Sequence, residues 1–374
     1  MSEKIICTVT NDLIYDQRMQ RICTSLQKNN FEVELVGRIL PDSKEIIQQT
    51  FQQKRLKCFF NKGFLFYAEF NIRLLFFLLF TKFDIVCGCD LDTLPAALLA
   101  AKIKRKKVVY DAHEYFPESP ELIGKPFKQS VWKFLEKMFV SKTDAIYTVT
   151  DSIARIFNKK YKVDCKLIRN VPLRNNSTSD MLQPVPNPIQ DSTFLLYQGA
   201  VNLGRGLNEM LLAMLKIENI KFYIAGDGDE MENIRYKIKE LKLGNKVKLL
   251  GKKTPEELKQ ITQQAYIGIN LLENRGLSYY YSLGNKTFDY IHAAVPQVVI
   301  GFPEYIELNN KYNIGVVVED LSVLNVYAAI QKLLEDKDLY QQLQQNCLKA
   351  REELCWENEE QKLINIYEQL TINN

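Results

Sequence analysis

Short runs of β-branched and aromatic residues alternate along this chain with stretches in which apolar residues recur every three or four positions. In the first half, KIICTV, EVELVG, FDIVCG, KKVVYDA, DAIYTVT and CKLIRNV have the length and composition of strands. QRMQRICTSLQKN and LPAALLAAKI between them have helical periodicity. Such alternation predicts βαβ units and a parallel sheet. Residues 174–192, rich in Asn, Ser and Pro, interrupt the pattern and read as a linker. It then resumes with FLLYQG, KFYIAG, KVKLLG, AYIGINL, PQVVIG and GVVVE. The pattern therefore predicts an α/β protein of two halves, with no solenoid-type repeat. The domains are placed at 1–175 and 193–352, joined by a linker over 176–192. A C-terminal helix over 353–374 is expected to pack back toward the first domain.

Length agrees with this division, because 374 residues exceed the size at which a single core stops growing. A composition of 46% hydrophobic and 25% charged residues is that of a globular protein and excludes a disordered chain. The start MSEKIICTVTND runs straight into a strand pattern, so no secretory peptide is expected. Eight scattered cysteines suit a reducing compartment, and Cys87 and Cys89 read as buried strand residues rather than zinc ligands. LLFFLLF at 74–80 is too short to span a bilayer and reads as an interior helix.

Charge is divided unevenly. Residues 1–180 hold 29 Lys and Arg against 20 Asp and Glu, a balance of +9, and the remainder stands at −5. KIKRKK at 102–107 and the Lys- and aromatic-rich segment 125–142 form either a surface for anionic lipid or solvated helix faces. Nothing in the pattern points to nucleic acid.

Ligands of open α/β sheets bind beyond the carboxyl ends of the strands, so the loops there are where chemistry is sought. In QGAVNLGRGLNEM, the glycines Gly199, Gly204 and Gly206 permit close backbone approach, and Arg205 offers a forked charge suited to a diphosphate. Helix capping by glycine explains the same residues, and on the bare pattern it ranks slightly ahead. SLGNKTFDYIHAAVP opens an apolar helix with Asn285 and Lys286 and carries Asp289 one turn on. A polar pair at the mouth of a buried helix is either a cap or a site. In the first half, His113 follows a strand, which suits polar work at the sheet edge or the capping of the EYFPES loop. His292 reads as packing.

The ordered set TNDLIYDQRM, DLDTLPAALLAAK, VVYDAHEYFPE, YQGAVNLGRGL, IAGDGDE, VKLLG and NKTFDYIHAAVP resembles the nucleotide-sugar-dependent glycosyltransferases of GT-B fold, of the retaining group 1 or family 4 type, over nearly the whole chain. The resemblance implies two Rossmann-like domains facing a cleft. It also implies transfer of a sugar, with retention, from a nucleotide diphosphosugar bound to the second domain onto a saccharide or lipid-linked acceptor, as in cell-surface polysaccharide or glycolipid synthesis. In such enzymes a glutamate binds the ribose, and its counterpart here is Asp289, with Ala294 where glycine is common. An earlier glutamate, eight positions before, is replaced by Tyr281, which leaves Glu273, Asn274 and the Gly276 loop as contacts for the donor sugar. Gly226, Asp227, Lys252 and Asn285 join the implied nucleotide-sugar site, with Arg205 and Lys286 neutralising the diphosphate. His113 would stand beside the sugar and the departing phosphate. Asn11, Asp12 and Arg18, in the first βα loop, would face the diphosphate and acceptor, with a plain N-cap by Asp12 an equal contender.

Two acidic triplets, Asp90-Leu91-Asp92 and Asp227-Gly228-Asp229, have the shape of a D-x-D metal site. In the GT-B architecture cationic side chains and helix dipoles carry the diphosphate, so no metal or other cofactor is expected. The implied location is cytoplasmic, peripheral on the inner face of the plasma membrane. A sugar-nucleotide epimerase of the same fold and a catalytically silent scaffold of a polysaccharide assembly complex are the rival readings.

Overall fold

The computed structural model describes residues 2–14, 16–41, 43–174 and 193–372. The linker expected at 176–192 lies outside the described residues. The chain divides into two compact units, Met1–Asn170 together with Asn358–Asn374, and Val171–Glu357.

The first unit runs β1 (Lys4–Thr8), α1 (Gln17–Lys28), β2 (Glu32–Ile39), β3 (Gln52–Lys57), α2 (Gly63–Phe80), β4 (Ile85–Cys89), α3 (Asp90–Lys104), β5 (Lys107–Ala112), α4 (Pro126–Phe139), β6 (Ala145–Thr148), α5 (Asp151–Tyr161) and β7 (Cys165–Leu167). Its strands pair in parallel in the order β3-β2-β1-β4-β5-β6-β7. The central strands β1, β4 and β5 are buried on both faces, which is why they read as unbroken apolar runs. β3, QQKRLK, escaped the sequence reading because an edge strand facing water carries polar and basic residues and no apolar signal.

The second unit runs β8 (Phe194–Gln198), α6 (Leu207–Met214), β9 (Lys221–Ala225), α7 (Met231–Glu240), β10 (Val247–Gly251), α8 (Pro255–Gln264), β11 (Ile267–Asn270), α9 (Leu277–Tyr280), α10 (Asn285–His292), β12 (Gln297–Ile300), α11 (Pro303–Tyr312), β13 (Gly315–Val318), α12 (Val323–Glu335) and α13 (Lys337–Glu353). Its sheet is again parallel, in the order β10-β9-β8-β11-β12-β13. α8 begins with a full capping box between Thr254 and Glu257, which fixes where the helix starts.

The last helix, α14 (Trp356–Ile372), belongs almost wholly to the first unit. The Glu359 carboxylate accepts the Arg169 N–H at 3.0 Å, and the buried Tyr367 meets the Tyr147 hydroxyl at 3.4 Å and the Phe31 ring at 6.4 Å.

One sequence expectation is corrected. The LLFFLLF segment is not interior: it is the end of an 18-residue helix, α2, that buries Phe66, Phe70, Leu74 and Leu78 and leaves the opposite side open. Within KIKRKK, Lys102 and Arg105 are exposed and the other basic residues are engaged. The Lys104 ammonium caps the end of α2 by donating to the carbonyls of Leu78, Leu79 and Thr81, Lys106 pairs with Asp84 at 2.6 Å, and Lys107 lies 3.9 Å from Asp144.

Candidate functional site

In the second unit the loops after β8, β9, β10 and β11 all leave the carboxyl edge of the parallel sheet, and each carries candidates named from the sequence. Gly199 follows β8 at φ 118°, a conformation that favours glycine, and Gly226 follows β9 directly beneath it. A β-carbon on Gly226 would lie 1.8 Å from the Gly199 carbonyl oxygen, so two glycines are needed for the loops to pass. The same loop places Gly204 against Arg275 and Tyr279, and Gly206 caps α6.

The central feature is Lys286, in the first turn of α10. Its side chain is buried, its ammonium makes no hydrogen bond, and it rests 3.7 Å from the centroid of the Tyr197 ring. Burial, and then the neighbouring Arg205, push its pKa well below the ordinary lysine range, with Asp289 opposing in part. Arg205 has a matching setting: its guanidinium lies 4.7 Å from the Tyr279 ring, and its buried Nε has no partner. Two cations held on aromatic faces, with unused donors and next to the free N–H groups of a helix start, form a receptor for a compact polyanion.

Lys286 and Asp289 are thus not the simple i,i+3 surface pair considered from the sequence. Asp289 instead accepts from Gln198 Nε2 at 2.8 Å, and Gln198 Oε1 accepts from Thr262 Oγ1 at 2.6 Å. This relay through the last residue of β8 holds the carboxylate one turn beyond the cation. Glu273 is drawn into the loop by Arg275, at 2.6 Å, and its N–H donates to the Gly204 carbonyl. Asp227 accepts the Gly228 N–H at 2.9 Å. Lys252, Asn274 and Asn285 are exposed, and Tyr281 ends α9 with its ring against Tyr280. Sequence reading missed Tyr197, Gln198 and Tyr279. The signal for Gln198 was present, as an amide ending an otherwise apolar buried strand.

In the first unit the carboxyl edge carries a chain of alternating charges. Arg18, fully buried in α1, donates from Nη2 to Asp111 Oδ1 at 2.9 Å and from Nη1 to the Ile168 carbonyl at 3.2 Å. Asp111 Oδ2 lies 3.3 Å from His113 Nε2, and His113 Nδ1 lies 3.6 Å from Asp90. Asp90 also accepts the His113 backbone N–H at 2.9 Å. Burial alone would lower the His113 pKa, but Asp111 and then Asp90 outweigh it and raise it to about 9, so the ring is an imidazolium at neutral pH. Arg18 and His113 likewise hold the Asp111 carboxyl well below the usual range against the effect of its burial.

Arg18 is accordingly a buried support for Asp111 rather than a loop residue facing substrate. Asp12 is engaged with Arg55 and the Ser43 hydroxyl, and the N-cap of α1 is Asp16, which accepts the Met19 N–H at 3.0 Å. Asn11 donates to the Asp16 carboxylate. Asp111 was missed from the sequence, though its place two residues before His113 at the end of a strand puts both on one face. His292 is buried and its Nε2 meets the Leu354 carbonyl at 2.8 Å, a packing role.

Among the described residues, Cys89, Asp111 and His113 bring ligand atoms within 4.8 Å of one another. The guanidinium of Arg18 already occupies the shared carboxylate, and a dication there would face that charge. Of the D-x-D acids, Asp90 is bound to His113, and Asp92 is buried, accepts the Thr10 hydroxyl at 2.6 Å, and is pushed up to about 7 by burial and Asp90.

Comparison with known proteins places this geometry. A curated galactosaminyltransferase of Campylobacter jejuni, named for adding N-acetylgalactosamine in α-1,4 linkage to an undecaprenol-diphosphate-linked saccharide, is 27% identical over 183 residues, which cover 47% of this chain and 46% of that protein. Sucrose-phosphate synthase from Thermosynechococcus elongatus superposes with a TM-score of 0.79 at 15% identity, covering 100% of both chains. Anabaena HepE in complex with UDP and glucose superposes with a TM-score of 0.75 at 14% identity, over 98% of this chain and 100% of that one. These structural likenesses are of fold. Residues 17–172 match the Glycosyltransferase Family 4 description and residues 181–350 match Glycosyl transferases group 1; with its two parallel-sheet α/β units of GT-B type, the chain belongs to the group 1 glycosyltransferases.

Proposed function

We propose that this glycosyltransferase takes its sugar from a nucleoside diphosphosugar and passes it, with retention, to a saccharide or lipid-linked saccharide acceptor. The observation that supports the donor class is the buried, hydrogen-bond-free ammonium of Lys286 beside Arg205 at the start of α10. A buried lysine without a partner costs about 1 to 3 kcal/mol or more, and a bound diphosphate removes that cost. Asp289, held by Gln198, is then suited to accept from ribose hydroxyls. The UDP and glucose named for HepE, and the lipid-linked saccharide named for the Campylobacter enzyme, are of the same chemical classes.

In this reading the bond between the anomeric carbon and the β-phosphate oxygen breaks as the acceptor oxygen bonds to that carbon on the same face. The acceptor proton passes to the leaving phosphate. Arg205, Lys286 and the N–H groups of α10 take up the charge gathering on the diphosphate. His113, as an imidazolium, is the cationic hydrogen-bond donor that the first unit offers to the reaction. The cations do the work a metal does elsewhere, so no metal is proposed.

Incubation with a panel of nucleoside diphosphosugars, with and without saccharide acceptors, tests the reading. Release of nucleoside diphosphate with an axial or equatorial linkage that matches the donor is expected. Interconversion of donor epimers without transfer, or failure of every nucleoside diphosphate to bind, would sink it.

A further inference from the structure

Helix α2 is apolar on every side, yet only one side is covered. Phe66, Phe70, Leu74 and Leu78, each four residues from the next, form the buried stripe, and the helix packs on α3 and touches the edge strand β3. On the open side Phe64, Leu65, Ile72, Phe76 and Phe80 expose between 55% and 87% of their surfaces, and Phe59 and Phe60 in the preceding loop are exposed as well. A surface helix ordinarily carries polar residues there. The charged residues of α2 are Glu69 and Arg73, and they serve another purpose. They pair at 2.7 Å, the Glu69 carboxylate accepts the N–H groups of Phe59 and Phe60 at 2.9 Å, and the Arg73 guanidinium lies 5.0 Å from the Phe59 ring. The pair holds an aromatic loop in place, with Glu69 largely covered and Arg73 partly exposed.

The rim of that face is basic. From 46 to 83 the chain has Lys54, Arg55, Lys57, Lys62, Arg73 and Lys82 against the single acid Glu69. Arg55 is taken by Asp12, but Lys57 and Lys62 are exposed, as is Lys54, whose ammonium lies 4.7 Å from the Phe77 ring centroid near the end of α2. On α4, Phe127 and Phe134 are exposed alongside Lys128 and Lys137.

We propose that the open face of α2 lies in the headgroup layer of an anionic lipid bilayer, with Phe59, Phe60, Phe64, Ile72, Phe76 and Phe80 entering the acyl boundary. At a rise of about 1.5 Å per residue the helix is long enough to approach the thickness of a bilayer core. Its buried stripe ties it to the first unit, so it lies in the plane of the surface instead of crossing. A second copy of this chain is the poorer occupant, because two-fold pairing of the face would set two identical basic rims against each other. The lipid-linked acceptor of the proposed function gives this surface its purpose, and only its purpose rests on that reading.

Sedimentation of the full chain with vesicles decides the matter. Wild type binds vesicles of phosphatidylcholine with phosphatidylglycerol, binds phosphatidylcholine alone less, and stays partly bound in ~0.5 M salt because the apolar contribution is not screened. The double variant Ile72→Asp/Phe76→Asp loses at least about tenfold in partition while keeping its melting temperature and nucleoside diphosphate affinity. Should it fold poorly, Phe80→Ser, at the most exposed of these side chains, shows a smaller loss in the same direction. Unchanged partition of a folded double variant overturns the proposal, as does wild type that ignores vesicles and forms dimers in the ultracentrifuge that the double variant does not. Failure of wild type to bind any nucleoside diphosphate would count against the donor reading alone.

Discussion

Lys286 carries an ammonium into a place where burial and Arg205 both oppose its charge, and no hydrogen bond compensates. Such a residue is costly to the empty protein and useful to the loaded one. Replacing it by methionine keeps the stem and removes the buried charge. Lys286→Met is therefore expected to raise the melting temperature of the free protein by about 2 to 8 °C, from relief of ~1 to 3 kcal/mol, and to weaken nucleoside diphosphate binding at least about tenfold. Calorimetry and thermal melts on one preparation read both. For wild type, an arriving anion opposes the lowering of the lysine pKa, so nucleoside diphosphate binding should take up protons wherever the free lysine is partly deprotonated; equal binding enthalpies in buffers of different ionisation heat at every pH tested would contradict this. His113 is perturbed in the opposite direction. Its folded pKa of about 9 stands above the ordinary value near 6.5, so the stability gained from Asp111 and Asp90 is complete below pH ~6.5 and is lost as pH rises through about 9. NMR titration of the ring should show an imidazolium through pH 7, and kcat/KM should fall as pH passes about 9. Asp111→Asn should bring that fall to lower pH, a shift a purely structural histidine would not produce.

In the second unit the loops after β8 and β9 pass each other at glycines that leave no room for a side chain. Gly226→Ala sets a methyl group against the Gly199 carbonyl oxygen, so β8 and β9 must part at the place where Lys286 and Asp289 are presented. It should lower the melting temperature by several degrees and abolish measurable nucleoside diphosphate binding, whereas Gly244→Ala, with no atom within 4 Å of the added carbon, should do neither. A Gly226→Ala protein with wild-type affinity would show that the two loops have slack. The elements themselves were legible in the sequence wherever a short β-branched or aromatic run marked them: twelve strands carried such runs, from the fully buried β4 and β8 to the half-covered β7 and β10, and α1 and α3 showed helical periodicity. What stayed illegible followed physical rules of its own. β3 is an edge strand and has no apolar period to detect. α2 is apolar all round, and a pattern without sidedness cannot say which side is covered. The candidate residues on loops were visible by type, but the partners that give them their state were not. Tyr197 under Lys286 and Gln198 behind Asp289 lie in a distant strand and only the fold brings them near, whereas Asp111 under His113 is two residues away and needed only the strand's alternation.

At the scale of the whole chain, the sequence order and the structural order differ, because the last residues return to the first unit. α14 gives that unit the Glu359 carboxylate on the Arg169 N–H and the buried Tyr367 beside Tyr147 and Phe31, so the N-terminal sheet is finished only when the C-terminus has been made. A chain ending after Glu357 would keep every element of the second unit, including Trp356, whose N–H donates to the Pro172 carbonyl at 2.8 Å. It would remove from the first unit the buried side chains of Leu363, Ile364, Tyr367 and Leu370. At about 1.5 to 3 kcal/mol for each buried apolar side chain, and with cavities left behind, the loss is comparable to the whole stability of a domain. Truncation after Glu357 is therefore expected to unfold or strongly destabilise the N-terminal unit while the second unit still folds and binds nucleoside diphosphate. Hydrogen exchange separates the two, since amides of β1, β4 and β5 should lose protection while those of β8, β9 and β11 keep it. Saturating nucleoside diphosphate should raise the protection of the second set only, by RT ln(1 + [L]/Kd). Retained protection of β1 in the truncated chain would mean that α14 is an accessory to the first unit and not part of its core.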